Sequence, residues 1–141
     1  MIAHVRLIIL LLAIILLACE KNNENTAAKN DLLIGSWFNP QHNDSIVTYE
    51  RAKGLVDNEY SFSFKEDMTF IERKNAGWCG TPPISYADFD GIWSQKDSIL
   101  EITVDYWGGT ADYTWKILSL DETTLKIIRQ EENYNLENQN I

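Results

Sequence analysis

The chain has 141 residues and a formal net charge of −9, from 12 Lys and Arg against 21 Asp and Glu; that is the length of one domain. An acidic body of this kind repels phosphate backbones and anionic headgroups, which argues against nucleic-acid binding, and no basic run offsets it. Five Trp, six Tyr and five Phe supply apolar surface for one core, each removing roughly 150–250 Å² from water when fully buried.

Residues 1–18 divide as a secretory signal peptide does. His4 and Arg6 form a weakly basic start, Leu7–Leu17 is apolar, and Ala18 is the small residue a peptidase needs. From Val5 to Ala18 the run falls short of the roughly 17–25 residues of a membrane-spanning helix. The sequence Leu16-Leu17-Ala18-Cys19 resembles the lipobox of bacterial lipoproteins. That resemblance implies cleavage before Cys19, diacylglycerol on its sulfur, and a fatty acyl group such as palmitate on the new amine. It also implies a membrane anchor in the cell envelope, expected at the outer membrane on its periplasmic or surface face. Two or three acyl chains anchor stably, since each buried CH₂ contributes about 0.8 kcal/mol. With Cys19 lipidated, Cys79 has no intrachain partner and no internal disulfide is expected. Residues 19–31 continue as an Asn/Glu/Lys-rich segment without apolar periodicity, expected to be a flexible linker.

From Leu32 the pattern changes to period two with turn residues between short runs. The first strand is expected over Leu33–Phe38, ended by Asn39-Pro40, and the second over Ser45–Arg51. In the third, Glu59–Phe64, the aromatics Tyr60, Phe62 and Phe64 alternate with Ser61 and Ser63. Thr69–Lys74, Tyr86–Ser94 and Ser98–Tyr106 follow, the last with Leu100, Ile102, Val104 and Tyr106 on one face. Thr110–Leu118 places Ala111, Tyr113, Trp115 and Ile117 inward, and Thr124–Gln130 completes the set. Eight short strands with hairpin-sized links predict an all-β domain over residues 32–130. Its form is a single antiparallel eight-stranded barrel or flattened barrel, because closure disposes of the edges. Residues 131–141, rich in Asn and Glu, are expected to be a polar C-terminal tail.

Ile34-Gly35-Ser36-Trp37 at the head of the first strand resembles the Gly-x-Trp start of lipocalin-like families. Phe64-Lys65-Glu66-Asp67-Met68-Thr69-Phe70 is similar to their Phe-x-x-Asp-Gly-Thr-Phe hairpin. Gly91-Ile92-Trp93, Leu100-Glu101-Ile102, Ile117-Leu118-Ser119-Leu120 and Thr124-Leu125-Lys126-Ile127 follow in the same order. The likeness is to the small lipocalin-like lipoproteins of Bacteroidetes and covers most of Leu33 to Ile128. Met68 replaces the usual Gly, so a turn with positive φ is not expected there.

Residues that could carry chemistry are few. His42 is the only histidine after the leader, so no common zinc site forms and no metal is expected. No Gly-x-Ser-x-Gly elbow, Walker motif or dinucleotide motif is present. Asp88 and Asp90 lack the rest of a calcium loop. Neither catalytic residues nor a cofactor are expected. The aromatic residues remain. Phe62, Trp93, Tyr113 and Trp115 lie on inward parities and either pack a core or line a cavity, since eight-stranded barrels hold at most one small ligand. Trp78 and Cys79, in the longest connection, and Trp107, before Gly108-Gly109, would gather at one end of an up-and-down barrel, together with the incoming tether. There they either cap the barrel or form a rim. The leading expectation is therefore a membrane-anchored, non-enzymatic, lipocalin-like binding lipoprotein holding a small apolar or amphipathic ligand. The alternative is a protein-interaction module with a filled barrel that docks an envelope or extracellular partner.

Overall fold

The computed structural model describes residues 31–77 and 79–136. The leader, Cys19, the linker up to Asn30, Trp78 and residues 137–141 lie outside the described residues, and the expectations placed on them lie outside too. The elements are β1 (Gly35–Asn43), β2 (Ile46–Ala52), β3 (Ser61–Phe64), β4 (Thr69–Asn75), β5 (Tyr86–Lys96), β6 (Ile99–Tyr106), β7 (Gly109–Leu120) and β8 (Thr124–Leu136). They form one closed antiparallel barrel in the order β1-β2-β8-β7-β6-β5-β4-β3, so the all-β, eight-stranded expectation holds.

The order is not up-and-down. Strands β3 to β8 form a plain meander, and the hairpin β1–β2 is wedged between its two outer strands. Trp37 of β1 lies opposite Phe62 of β3, and Tyr49 of β2 lies opposite Leu125 of β8. Both β2 and β3 therefore run antiparallel to β1, and the link over residues 53–60 has to cross β1. It covers Ser36, Ser61 and Ser63, which are buried although they lie on the face opposite Trp37, Phe62 and Phe64. The Ser61 hydroxyl accepts the Val56 N–H at 3.0 Å.

This crossing decides what meets at each end. The base holds the helical residues 31–33 and the turns after β3, β5 and β7. The mouth holds the β1–β2 turn, the β4–β5 connection, Trp107-Gly108 and the end of β8. Cys79 and Trp107 do share an end. The chain joins the barrel at the opposite one, which corrects the expectation that the tether enters beside them.

The base is sealed. Leu33 is fully buried beneath Trp37, whose indole N–H donates to the Leu33 carbonyl at 3.0 Å. Arg51 lies 4.2 Å over the Trp37 ring and donates to the carbonyls of Leu32, Ile34 (2.9 Å) and Glu122 (2.6 Å). A rigid guanidinium fork can satisfy several carbonyls at once, which a lysine cannot do in this geometry.

Above this seal the interior is aromatic. Phe62 packs on Tyr49, Phe64, Phe70 and Trp115 with ring centroids 4.8–5.7 Å apart. Trp93 closes on Phe64 at 5.1 Å and donates its N–H to the Lys65 carbonyl at 3.1 Å. The wall is tight at Gly91, where a Cβ would stand 2.4 Å from the Thr103 carbonyl oxygen.

Three local expectations are corrected. Asn39-Pro40 does not end β1: the strand bulges there, its register shifting between Phe38 and Gln41, with Asn39 at φ 53°. A bulge suits a proline because it has no N–H to give the ladder. Met68 takes φ 66°, so the β3–β4 turn keeps a left-handed residue without glycine, at a cost of roughly 1–2 kcal/mol. Hydrogen bonds hold it: Lys65 N–H to the Thr69 carbonyl at 2.9 Å and Thr69 N–H to the Asp67 carboxylate at 3.0 Å. Finally, Glu131–Leu136 is not a tail but the upper half of β8, paired with β7 from Thr114↔Glu131 to Gly109↔Leu136. Its polar side chains are exposed, and the ladder itself supplies the backbone bonds.

Candidate functional site at the mouth of the barrel

Strand β4 alternates Phe70, Glu72 and Lys74 toward the interior, so the apolar stack gives way to charge near the mouth. Glu72 is 2% exposed. Its Oε1 accepts the Tyr60 hydroxyl at 2.6 Å, and its Oε2 accepts Lys74 Nζ at 2.6 Å and the Tyr113 hydroxyl at 3.3 Å. Burying a carboxylate is tolerated only with such compensation. Lys74 Nζ also lies 5.3 Å from the Phe89 ring centroid and 5.7 Å from that of Tyr113.

A second polar group sits beside this one on β8. The register of β8 against β7 steps from Trp115↔Arg129 to Thr114↔Glu131, leaving Gln130 as the bulged residue. Arg129 is inward with Leu125 and Ile127, and the bulge shifts the alternation so that Glu132 and Tyr134 join it on that face. Arg129 donates to the Tyr49 hydroxyl at 2.5 Å, lies 5.7 Å over the Trp115 ring and pairs with Glu132 at 3.2 Å. Burial and the Glu72 carboxylate hold the Tyr60 and Tyr113 hydroxyls well above the usual tyrosine range. Burial also raises Tyr49, with Arg129 opposing it.

The rim above is aromatic and open. Tyr106 packs edge-on against Trp107 at 5.5 Å and against Tyr134 at 5.4 Å. Trp107 is 53% exposed, Tyr134 58% and Leu136 73%. The cations of this end are already paired: Arg73 with Asp57 and Asp88, Lys74 with Glu72, Arg129 with Glu132. Asp105, Asp112 and Glu131 have no cationic partner among the described residues. The mouth thus carries an excess of carboxylate beside exposed aromatic surface.

The residues singled out from the sequence divide between core and mouth. Phe62 and Trp115 are fully buried and Trp93 is 3% exposed, all three inside the stack. Tyr113, at 6%, bridges the stack to Glu72. Trp107 stands on the rim. Cys79 is a free, exposed thiol in the β4–β5 connection, its carbonyl bonded by Asn75 at 2.8 Å; hydrogen bonds from Thr81 hold the thiol below its usual range. Comparison with protein-family models, with curated proteins and with solved structures finds no match. The site therefore has to be read from its own residues.

Glu72, Lys74 and Arg129 are not among the candidates the sequence suggests, and Tyr60 enters there only through the alternation of its strand. Two of these were visible: Glu72 and Lys74 follow Phe70 at period two, and a charge on an inward parity is a signal in itself. Chemically, both oxygens of Glu72 are engaged, which leaves it poorly placed to take a proton from a substrate. The outer mouth offers carboxylates and exposed aromatic groups. A groove of about 680 Å³ also lies outside the base, between the 53–60 link and the β3–β4 turn, lined by Lys53, Leu55, Ser63, Lys65 and Ile71 among others.

Proposed function

We propose that this chain is a lipid-anchored, non-enzymatic, lipocalin-like interaction module of a bacterial cell envelope, attached through Cys19 and docking a protein partner with its mouth. One observation carries the choice of a partner over an internal ligand. The side chains that would line a ligand cavity instead fill the barrel: Trp37, Tyr49, Phe62, Phe70 and Trp115 are fully buried and in ring-to-ring contact through Phe62 and Trp115, or pinned beneath Arg51 in the case of Trp37. Glu72 and its partners close the stack from above. The mouth carries the exposed aromatic residues Trp107 and Tyr134 beside carboxylates without a cationic partner among the described residues, the groups a partner would meet.

The test uses the full-length protein in its own cells, with a photo-crosslinking residue in place of Trp107. A discrete protein adduct is expected. A small molecule co-purifying with the barrel in native mass spectrometry, with no protein adduct at the mouth, would return the reading to an internal ligand. Cys19→Ala tests the anchor separately and is expected to release the protein from membranes or leave it unprocessed.

A further inference from the structure

The barrel has a gap in its wall. Strand β2 stops pairing with β8 at Ile46↔Ile128, yet β8 runs on to Leu136 with β7 alone beside it. Among the described residues no strand lies on the side of β8 turned away from β7 beyond the bulge at Gln130, and every residue from Glu131 to Leu136 is exposed. In an antiparallel strand alternate residues aim their N–H and C=O to each side, so this edge presents a row of unpaired donors and acceptors. Such an edge is a template for an added strand.

We infer that the upper edge of β8 receives an extended segment of a partner protein in which basic and apolar residues alternate. This deepens the interaction reading above and rests on it. The two faces of the edge select the two residue types. On the outer face Glu131 lies opposite Thr114 and diagonal to Asp112 of β7, which bonds Asn135 and Thr103 but no cation among the described residues; Asp105 of β6 lies on the same face, opposite Thr110. On the inner face Tyr134 and Leu136 offer apolar surface at the mouth. A strand paired to β8 alternates its side chains between these faces, so lysine or arginine meets Glu131, with Asp112 one strand behind it, while every second residue covers Tyr134 and Leu136. A second copy of this chain is a poorer occupant, because its own edge brings Glu131 and Glu132 against an end already rich in carboxylate.

The experiment uses the full-length protein in detergent and an eight-residue peptide alternating lysine and valine. Amide hydrogen exchange of residues 131–136 is followed with this peptide, with its glutamate–valine counterpart, and with a version N-methylated at alternate residues. Exchange at the outward amides of β8 should slow at least tenfold with the lysine peptide. Binding should weaken at least tenfold with either control peptide, and several-fold in Glu131→Lys, an exposed substitution that leaves the fold intact. Equal binding of the N-methylated peptide would overturn strand addition, and unchanged exchange at 131–136 would overturn the site. A dimer in sedimentation that already protects the edge would assign it to a second copy instead. If the edge fails while a protein adduct still forms from position 107, the interaction reading survives without it; if neither occurs, both fall.

Discussion

The lower and upper halves of this barrel use the same eight strands to opposite ends. Below, the inward positions are Trp37, Phe64, Phe70, Trp93 and Leu100, all buried, and Leu33 with Arg51 seals the floor. Above, the interior carries Glu72 and Lys74, paired along β4, and Arg129 and Glu132, paired along β8, while Tyr113 bonds Glu72 and packs edge-on against Tyr134. Charge divides in the same way. At the base Lys53, Lys65, Lys96 and Lys126 stand among Glu66, Asp67, Asp97, Asp121 and Glu122, a mixture of signs, whereas at the mouth Asp105, Asp112 and Glu131 have no cationic partner among the described residues. Stability is concentrated where the packing is apolar, and charged and aromatic groups are left where the side chains can still reach solvent.

The division can be broken by substitution. The largest effect is expected at its centre, where Phe62→Ala removes the hub of the stack and should cost about 3–5 kcal/mol in denaturant unfolding. Trp107→Ala on the rim should change stability by no more than about 0.5 kcal/mol. A rim substitution as costly as the core one would erase the contrast between the halves.

Next comes the buried pair. Glu72→Ala strands Lys74 and the two tyrosine hydroxyls and should cost about 3 kcal/mol. The double change Glu72→Leu with Lys74→Met removes both charges and should recover most of that loss. If the double variant is as unstable as the single one, the upper half depends on the network for its shape and not merely for compensation.

The smallest expected effect near neutral pH, and the one that sharpens the comparison, comes from the tyrosines. Tyr49, Tyr60 and Tyr113 are held above their ordinary value of 10.0, so the folded state keeps protons that the unfolded state releases. Their contribution is fully present below pH 10 and is lost as pH rises beyond it. Each such group lowers the folding equilibrium constant roughly tenfold per pH unit in that range. Absorbance at 295 nm should show them ionising together with unfolding, not before it. Independent titration of Tyr113 in the folded protein would mean that the mouth is wetter than its hydrogen bonds imply.

Much of this was legible in the sequence where one face is apolar. Leu100, Ile102 and Val104, and likewise Ala111, Tyr113, Trp115 and Ile117, were assigned inward by alternation and are buried. The upper half of β8 was not legible: Glu131, Glu132, Asn133 and Asn135 are exposed, and what orders them is the β7 ladder, which leaves no trace in side-chain pattern. The wedge was hidden for a related reason. Nothing local in Trp37 or Tyr49 says that their neighbours are Phe62 and Leu125 rather than each other's hairpin alone. Met68 and Pro40 look like breaks because their intrinsic preferences are read in isolation, while a bulge and a turn with its own hydrogen bonds accommodate both.

The wedged hairpin also sets the order in which this molecule can be built. Strands β3 to β8 join neighbour to neighbour in chain order, whereas the hairpin completes the circle only at two seams. One joins β1 to β3 through four residue pairs, Gly35↔Phe64 to Phe38↔Ser61. The other joins β2 to β8 through five, Ile46↔Ile128 to Glu50↔Thr124. The second spans most of the domain, so its loop-closure entropy is met before its contacts form, which makes it the slow step of assembly. The barrel is in this sense an open sheet with a latch, and the latch precedes in the chain every strand it has to join.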